Sequence, residues 1–366
     1  SCAGFVILGF LIKKIIRPDF TNIGVEAAIS WLLLILFIFT TLSLINSGPL
    51  FSKSLKALIT KWGENFLLFM IAIDHFRDTK LLKRFFYVLF LSGILVGISA
   101  MTQKFLGFEF LRDRRSIELA VTGPFANPNS FSPYLVFCLP IFISLACWKR
   151  PSKIVTIGAF FACLVLLASL LLTFSRAGWL GFLVGSFIMI LLSAKRKPLL
   201  LILAGFLLSL FLFFPFTQRV VYSFQTGGDS ERFVIWRESL NMIKGDPFLG
   251  KGLGTYMDYS KKDIINDSGS HYAHNCYLQI WAESGIAALI AFLALVGFVF
   301  CRGACVAFKN RFDDWGILLG GLTGGLFGFL VASFFDNGLY SLQLSVLFWV
   351  MLGVTVALER VLIDRV

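Results

Sequence analysis

Histidine is scarce in this chain, which has 3 histidines among 366 residues. Its 7 cysteines show no pairing pattern and no zinc-site spacing, so we interpret them as small packing residues and expect no metal. No cleavable signal peptide is visible, and the spacing of a phosphate-binding loop is absent. We therefore expect an activity that needs no cofactor.

Apolar side chains, in contrast, are abundant: they make up 57% of the chain, against roughly 45 to 50% in a soluble domain. Runs long enough to cross the hydrocarbon core occur at 27–45, 84–101, 131–147, 153–173, 177–193, 197–215, 277–301, 315–335 and 339–358, with weaker runs at 2–12 and 65–73. The pattern predicts an all-α, polytopic integral membrane protein with about 11 transmembrane helices. Because Ser1 opens directly on an apolar run, we expect missing N-terminal residues, and about 12 helices if these include one.

The net charge of +12 is explained by the basic clusters that we expect on the cytoplasmic side of the membrane. Basic clusters are expected on the cytoplasmic side of short loops. More than half of the basic residues satisfy this rule when the clusters at 13–17, 77–84, 149–153, 195–197, 302–311 and 360–365 are placed inside. We therefore expect membrane lipids as surroundings and no nucleic-acid partner.

We predict one membrane domain over residues 1–366 with two stretches on the outer face. These are a smaller loop at 102–130 and a large loop at 217–275, which is the largest polar region and the expected place of soluble chemistry. Four-residue glycine spacing predicts close helix contacts. The glycines are Gly181, Gly185, Gly320, Gly324 and Gly328.

The large loop contains a predicted short helix followed by a glycine-rich stretch. Arg232, Trp236 and Leu240 recur at four-residue spacing and are expected on one face of that helix. Residues 246–256 (DPFLGKGLGTY) lack the phosphate-loop spacing. We expect flexible backbone there, with N–H groups that are able to touch an anion.

Arg176 lies in the tight turn between two apolar runs, on the outer face, where positive charge is disfavoured. One interpretation is an arginine that reaches up to the lipid headgroups. The other is an anion clamp, because a guanidinium matches phosphate oxygens. Arg219 and Arg232 are either solvated loop charges or further anion ligands.

His274 stands where the large loop enters an apolar run, and it is either a proton-transfer group or a structural interfacial histidine. If a helix starts near His274, Leu278 and Gly285 share its face, and Gly285 lets a neighbouring helix pack there. Glu283 then projects to the opposite side. We interpret it as an ionisable group with a structural partner.

Four motifs resemble those of the O-antigen ligase and polymerase superfamily of bacterial inner-membrane proteins. Residues 176–180 fit its Arg-x-x-x-Leu motif, and residues 274–285 fit its His-x(10)-Gly motif, with Asn275 in the usual place. Residues 246–254 are similar to its Pro-x-x-Gly-x-Gly element, and residues 123–129 resemble a stretch common in members. In this order the motifs span the core of the chain.

The resemblance implies transfer of a glycan from an undecaprenyl-diphosphate carrier to an acceptor hydroxyl at the periplasmic face. It implies that Arg176 binds the carrier diphosphate with help from Arg232 and, more weakly, Arg219, and that His274 is the catalytic base. Asn275, Gly285 and Glu283 are the expected supporting residues.

The expected chemistry is an inverting, metal-independent single displacement, since diphosphate leaves readily once arginines neutralise its charge. The acceptor is a glycan or a lipid A-core, and ligase, polymerase and protein O-glycosylating transferase remain open. A transporter or flippase of lipid-linked glycans is the alternative from another class.

Overall fold

The computed structural model describes residues 25–112, 114–115, 120–148, 153–212, 228–260 and 272–365, which are almost entirely helical. The helices are α1 (Val25–Leu42), α2 (Phe51–Ala57), α3 (Glu64–His75), α4 (Thr79–Leu106), α5 (Pro128–Ala146), α6 (Lys153–Leu172), α7 (Arg176–Leu192), α8 (Arg196–Leu212), α9 (Gly228–Gly245), α10 (Tyr256–Tyr259), α11 (Cys276–Lys309), α12 (Asp314–Ala332) and α13 (Leu342–Ile363). Two 3-10 segments (Ser43–Leu50 and Gly338–Tyr340), a π-helical turn (Leu58–Gly63) and two antiparallel two-residue strands, β1 (Phe108–Glu109) and β2 (Arg114–Arg115), complete the described elements.

The prediction of an all-α, multi-pass membrane protein is confirmed. Among the described residues, 6 helical stretches are long and apolar enough to cross a membrane. They are Ala27–His75, Thr79–Leu106, Pro128–Ala146, Cys276–Lys309, Asp314–Ala332 and Leu342–Ile363. Three apolar helices, Ile157–Leu172, Arg176–Leu192 and Leu199–Ser209, are shorter. The helix count of about 11 and the periplasmic position of the large loop stay predictions.

Short polar side chains define where several helices begin. The Asp78 carboxylate accepts hydrogen bonds from the N–H groups of Lys80 (2.7 Å) and Leu81 (2.8 Å) at the start of α4. Asn127 caps α5 by accepting from the N–H of Ser130 (2.8 Å). These bonds satisfy N–H groups that have no partner inside the helix.

The chain divides into two compact units. The first unit comprises the described parts of Ser1–His75, Gly227–Val299 and Leu339–Gly353, and the second those of Phe76–Thr226, Phe300–Gly338 and Val354–Val366. Each unit is assembled from separate stretches of sequence. The expectation of a single membrane domain over residues 1–366 stays a prediction.

Glycines bring α7 and α12 into close contact in the second unit, as the four-residue spacing predicts. A Cβ atom at Gly185 would lie 2.5 Å from the carbonyl oxygen of Gly324, and one at Gly328 would lie 2.5 Å from that of Gly181. Only hydrogen fits at such distances, so the two helix backbones pack directly against each other. The predicted glycine contacts are confirmed.

We expect Gly185→Ala to lower the thermal unfolding midpoint in detergent, because the added methyl group meets backbone that has no room to move. Overpacking of this kind typically costs about 1–3 kcal/mol. Gly205→Ala is the matched control, since no atom lies within 4 Å of a Cβ at Gly205 in α8. Equal midpoints for the two variants, measured by circular dichroism, would contradict the close helix contact.

Candidate functional site

His274 lies in a turn immediately before α11, in the first unit. Its side chain is half-buried, and its backbone adopts a left-handed conformation with φ 47°. Asn275 caps the helix: its side-chain oxygen accepts from the N–H groups of Tyr277 (2.9 Å) and Leu278 (3.0 Å). The left-handed turn and the cap together fix where the His274 side chain leaves the backbone.

The predicted helical register between His274 and Gly285 is wrong. His274 precedes the helix, and Gly285 interrupts it with φ 81° and ψ 171°. A step of 100° per residue therefore does not relate the faces of these two residues. The close approach at Gly285 is also not made by a neighbouring helix, because a Cβ atom there would overlap the backbone of Phe248.

The glycine loop, residues 246–256, fills the break in α11. At Gly285 the helix loses the bonds that the carbonyl groups of Ala282 and Glu283 would accept within a regular helix. The N–H groups of Lys251 and Gly252 replace them, each at 2.9 Å. In return, the Pro247 carbonyl accepts from the N–H of Ile286 (2.9 Å). The loop thus satisfies the backbone groups that the break exposes.

Three loop glycines adopt positive φ and pack where side chains do not fit. Gly250 (φ 72°) lies against the backbone of Glu283, Gly252 (φ 104°) lies against Ser47, and Gly254 (φ 68°) lies against Ala57. The expectation of flexible backbone in this stretch is wrong, since the loop is wedged between α11 and the segment that includes the first 3-10 turn.

Four amide groups of the glycine loop are already hydrogen-bonded within the protein and are not available to an anion. Gly250 N–H donates to the Asp246 carbonyl (3.0 Å), and Gly254 N–H donates to the Glu283 carboxylate (2.9 Å). Lys251 and Gly252 N–H are used at the helix break. These bonds give a physical reason to reject a phosphate-loop interpretation, beyond the missing spacing.

Glu283 is buried at 1% exposure and accepts three hydrogen bonds. The donors are the N–H groups of Gly254 (2.9 Å) and Tyr256 (3.4 Å) and the side-chain amide of Gln279 (3.2 Å). The Gln279 oxygen in turn accepts from the N–H of Ala273 (3.4 Å). Glu283 is therefore connected to the His274 turn through Gln279, whereas the sequence placed it only on the opposite helix face.

Two residues of this arrangement were not singled out from the sequence: Asn46 and Gln279. Asn46 donates from its side chain to the Gly250 carbonyl (3.0 Å). Gln279 precedes Glu283 by four residues, which is the spacing of neighbours on a helix. The sequence feature that could have identified these residues is a polar side chain within or beside an apolar run.

Arg232 lies on α9, also in the first unit, and is half-buried. The predicted helix that carries Arg232, Trp236 and Leu240 is confirmed, and Leu240 in it is 44% exposed. Among the residues of α9 whose side chains the structure describes, Ile235, Ser239 and Ile243 are buried. Arg219 lies outside the described residues.

A small core ties α9 to the His274 turn. Ile243, Tyr256, Ala273 and Ala282 form one buried cluster, so α9, the glycine loop and the start of α11 pack together. The Ser239 and Tyr256 hydroxyls are 2.7 Å apart. Burial raises the pKa of Tyr256 to about 12, so this phenol stays neutral near pH 7.

Arg176 belongs to the second unit, where it is the first residue of α7 and is exposed. The predicted tight turn between two apolar helices is confirmed. Phe174 in this turn has φ 53°, and the Ser175 hydroxyl caps α7 by accepting from Gly178 N–H (3.3 Å). Ser132 of α5 donates to the same hydroxyl (2.9 Å). The backbone that carries Arg176 is thereby fixed.

Within the described ranges, no group of three or more His, Cys, Asp or Glu side chains is placed to hold a metal ion. The expectation that no metal takes part stays a prediction. The arrangement around His274 offers an imidazole on a fixed turn, which is suited to accept a proton from a hydroxyl group.

We expect Gly285→Ala to lower the thermal unfolding midpoint strongly. The new methyl group overlaps the Phe248 backbone, and alanine disfavours the positive φ at this position. Gly297→Ala is the control in the same helix, since no atom lies within 4 Å of a Cβ there. If both variants unfold at the wild-type temperature, the glycine loop does not occupy the break.

Residues 161–293 match the family described as O-antigen ligase. No curated protein was found to match the chain. The matched segment includes Arg176 in the second unit and Arg232, His274, Glu283 and the glycine loop in the first. The resemblance to the O-antigen ligase and polymerase superfamily is therefore confirmed over residues 161–293, the segment that matches the O-antigen ligase family.

Proposed function

We propose that this protein transfers a glycan from an undecaprenyl-diphosphate-linked donor to an acceptor hydroxyl at the periplasmic face of the bacterial inner membrane. The acceptor is a growing glycan or a lipid A-core. One observation carries the proposal: within a segment that matches the O-antigen ligase family, a half-buried histidine stands on a backbone turn whose neighbours hold it in place. A rigid turn suits a group that must meet a substrate hydroxyl in a defined geometry.

His274 is the proposed base. Its neutral imidazole takes the proton from the acceptor hydroxyl while that oxygen attacks the anomeric carbon of the donor sugar. The bond between this carbon and the diphosphate oxygen breaks, and undecaprenyl diphosphate leaves with the bonding electrons. A single displacement of this kind inverts the anomeric centre.

The arginines are proposed to neutralise the diphosphate, since guanidinium groups match phosphate oxygens in charge and geometry. Arg176 is exposed at the start of α7, and Arg232 is half-buried on α9. Arg219 is assigned the same role from the family resemblance alone. Neutralisation makes diphosphate a better leaving group, so these side chains lower the barrier without a covalent intermediate.

Asn275, Gly285 and Glu283 are proposed to support the histidine. Asn275 caps α11 directly after it. Gly285 leaves space for the glycine loop, and the Glu283 carboxylate accepts hydrogen bonds from that loop and from Gln279. None of these three residues needs to touch the substrates in this proposal.

A transporter of the same lipid-linked glycans remains the second candidate, because broken helices in transporters expose backbone groups that bind substrates. The interrupted helix α11 is the feature that favours it. Against it, the carbonyl groups of Ala282 and Glu283 and the N–H of Ile286 at the break are bonded to the glycine loop. Flux of lipid-linked glycans into proteoliposomes without glycan transfer would favour the transporter.

We expect His274→Ala to lower kcat for transfer from a lipid-linked donor by about 10²–10⁴-fold, the usual contribution of a general base. His75→Ala, at the exposed end of α3, is the control and should retain wild-type activity. The measurement is product formation in detergent micelles or proteoliposomes. Wild-type kcat in His274→Ala would refute the base assignment.

Arg176→Ala is expected to reduce kcat by about 100-fold through loss of charge stabilisation on the leaving diphosphate. Arg196→Ala is a matched control, because Arg196 is likewise the exposed first residue of an apolar helix. The same transfer assay measures both variants. Equal rates for the two would show that Arg176 serves only to reach the headgroup layer.

The product identifies the type of transferase. We expect a strain that lacks this protein to accumulate lipid-linked donor and to lose one glycosylated product. Mass spectrometry of the envelope then separates a lipid A-core product from an elongated glycan or a glycoprotein. Unchanged glycans in the deletion strain would argue against transfer altogether.

A further inference from the structure

One face of α9 is left exposed by the described residues. Phe233 is 65% exposed and Leu240 is 44% exposed, although both side chains are large and apolar. The Phe233 ring contacts only Trp236 of the same helix among the described rings, with centroids 5.9 Å apart. Arg237 and Lys244 are exposed on the same side. At about 100° per residue, the two apolar and the two basic positions fall within about 60° of one another and form one stripe.

The far side of α9 packs against the protein. Ile235, Ser239 and Ile243 are buried there, and the Ser239 hydroxyl lies 2.7 Å from the hydroxyl of Tyr256 in the glycine loop. A helix that is packed on one side and bathed in water on the other carries polar residues on its outer side. The outer stripe of α9 instead combines large apolar side chains with two positive charges.

The C-terminal end of α9 is joined to a helix that is long and apolar enough to cross a membrane. The Pro247 carbonyl accepts hydrogen bonds from the N–H of Ile286 (2.9 Å) and from the Trp281 indole (3.0 Å), both in α11. After its break, α11 runs from Ile286 to Lys309, a length of about 36 Å, which is enough to cross about 30 Å of hydrocarbon. The break and the end of α9 therefore lie near one edge of the membrane.

Two aromatic residues at this end of α9 are typical of the boundary between lipid and water. The backbone of Phe248 lies against Gly285 at the break of α11, yet its side chain is 73% exposed. Trp281 is half-buried and uses its N–H for the bond to Pro247. Aromatic side chains are enriched at this level of a membrane, where the ring contacts lipid and a polar group is satisfied.

We propose that α9 lies in the interfacial layer of the membrane and binds anionic phospholipids. Phe233 and Leu240, together with Phe248 of the glycine loop, insert between the lipid headgroups and the upper acyl chains. Arg237 and Lys244 bind the phosphate groups of the same lipids. An exposed apolar stripe with cations beside it, held at the edge of the membrane, is the arrangement that such binding requires.

A second copy of the chain fits this stripe less well than lipid does. A symmetric contact between two copies would bring their stripes together, and each stripe carries Arg237 and Lys244. Like charges that face each other destabilise an interface. Anionic headgroups complement the same two cations.

This contact has a consequence for the half-buried Arg232, which the packed side of α9 carries. Because α9 is held at the lipid surface, Arg232 is kept at the level of the headgroup phosphates. The inference goes beyond the proposed function and does not require His274 to be a base. Neither test below measures glycan transfer, so the lipid contact and the proposed function fail separately.

Photochemical cross-linking tests the apolar contacts. The photoreactive residue benzoyl-phenylalanine replaces Phe233 or Phe248 in the full chain, which is placed in nanodiscs of phosphatidylglycerol and phosphatidylcholine. We expect phospholipid adducts by mass spectrometry at both positions. The same replacement at Val88, which is 67% exposed on α4, is the positive control. Lipid adducts at Val88 but not at the two test positions, or adducts to a second copy of the chain, would overturn the proposal.

Hydrogen exchange tests the charges. We expect the amides of α9 to exchange about fivefold more slowly in nanodiscs that contain phosphatidylglycerol than in phosphatidylcholine alone, because the anionic surface holds both cations. The double variant Arg237→Gln with Lys244→Gln should lose this difference. Lys56→Gln, at an exposed lysine of α2, is the matched control and should keep it. Equal exchange of the wild type in the two lipids, or an undiminished difference in the double variant, contradicts binding of anionic lipid.

Discussion

The interruption of α11 at Gly285 is the constraint on which the arrangement of the first unit depends. In a membrane protein, free backbone carbonyl and N–H groups must find partners within the protein. The glycine loop supplies them through Lys251, Gly252 and Pro247, and only glycine at position 285 leaves space for the loop backbone. The loop, the start of α11 and the His274 turn are therefore one structural element.

Hydrogen bonds to the Glu283 side chain connect the parts of this element further. The carboxylate of Glu283 binds the far end of the glycine loop and, through Gln279, the residue before His274. Because a buried carboxylate needs hydrogen-bond donors, the same contacts that stabilise Glu283 also determine the position of the histidine backbone.

Several features were predictable because they depend on local sequence. The turn at Arg176 follows from its place between two apolar runs, and the contacts of Gly181 and Gly185 follow from their spacing. The break in α11 was not predictable in the same way, because a glycine flanked by helix-forming residues is compatible with a regular helix.

Composition and short-range pattern are enough to establish a multi-pass helical membrane protein and to single out Arg176 and His274 by motif. They are not enough to bring Asn46, Glu283 and the glycine loop together, since these residues are far apart in the chain. Their association depends on hydrogen bonds that exist only once the first unit has folded. Local sequence specifies which groups are available, whereas tertiary packing decides which of them become partners.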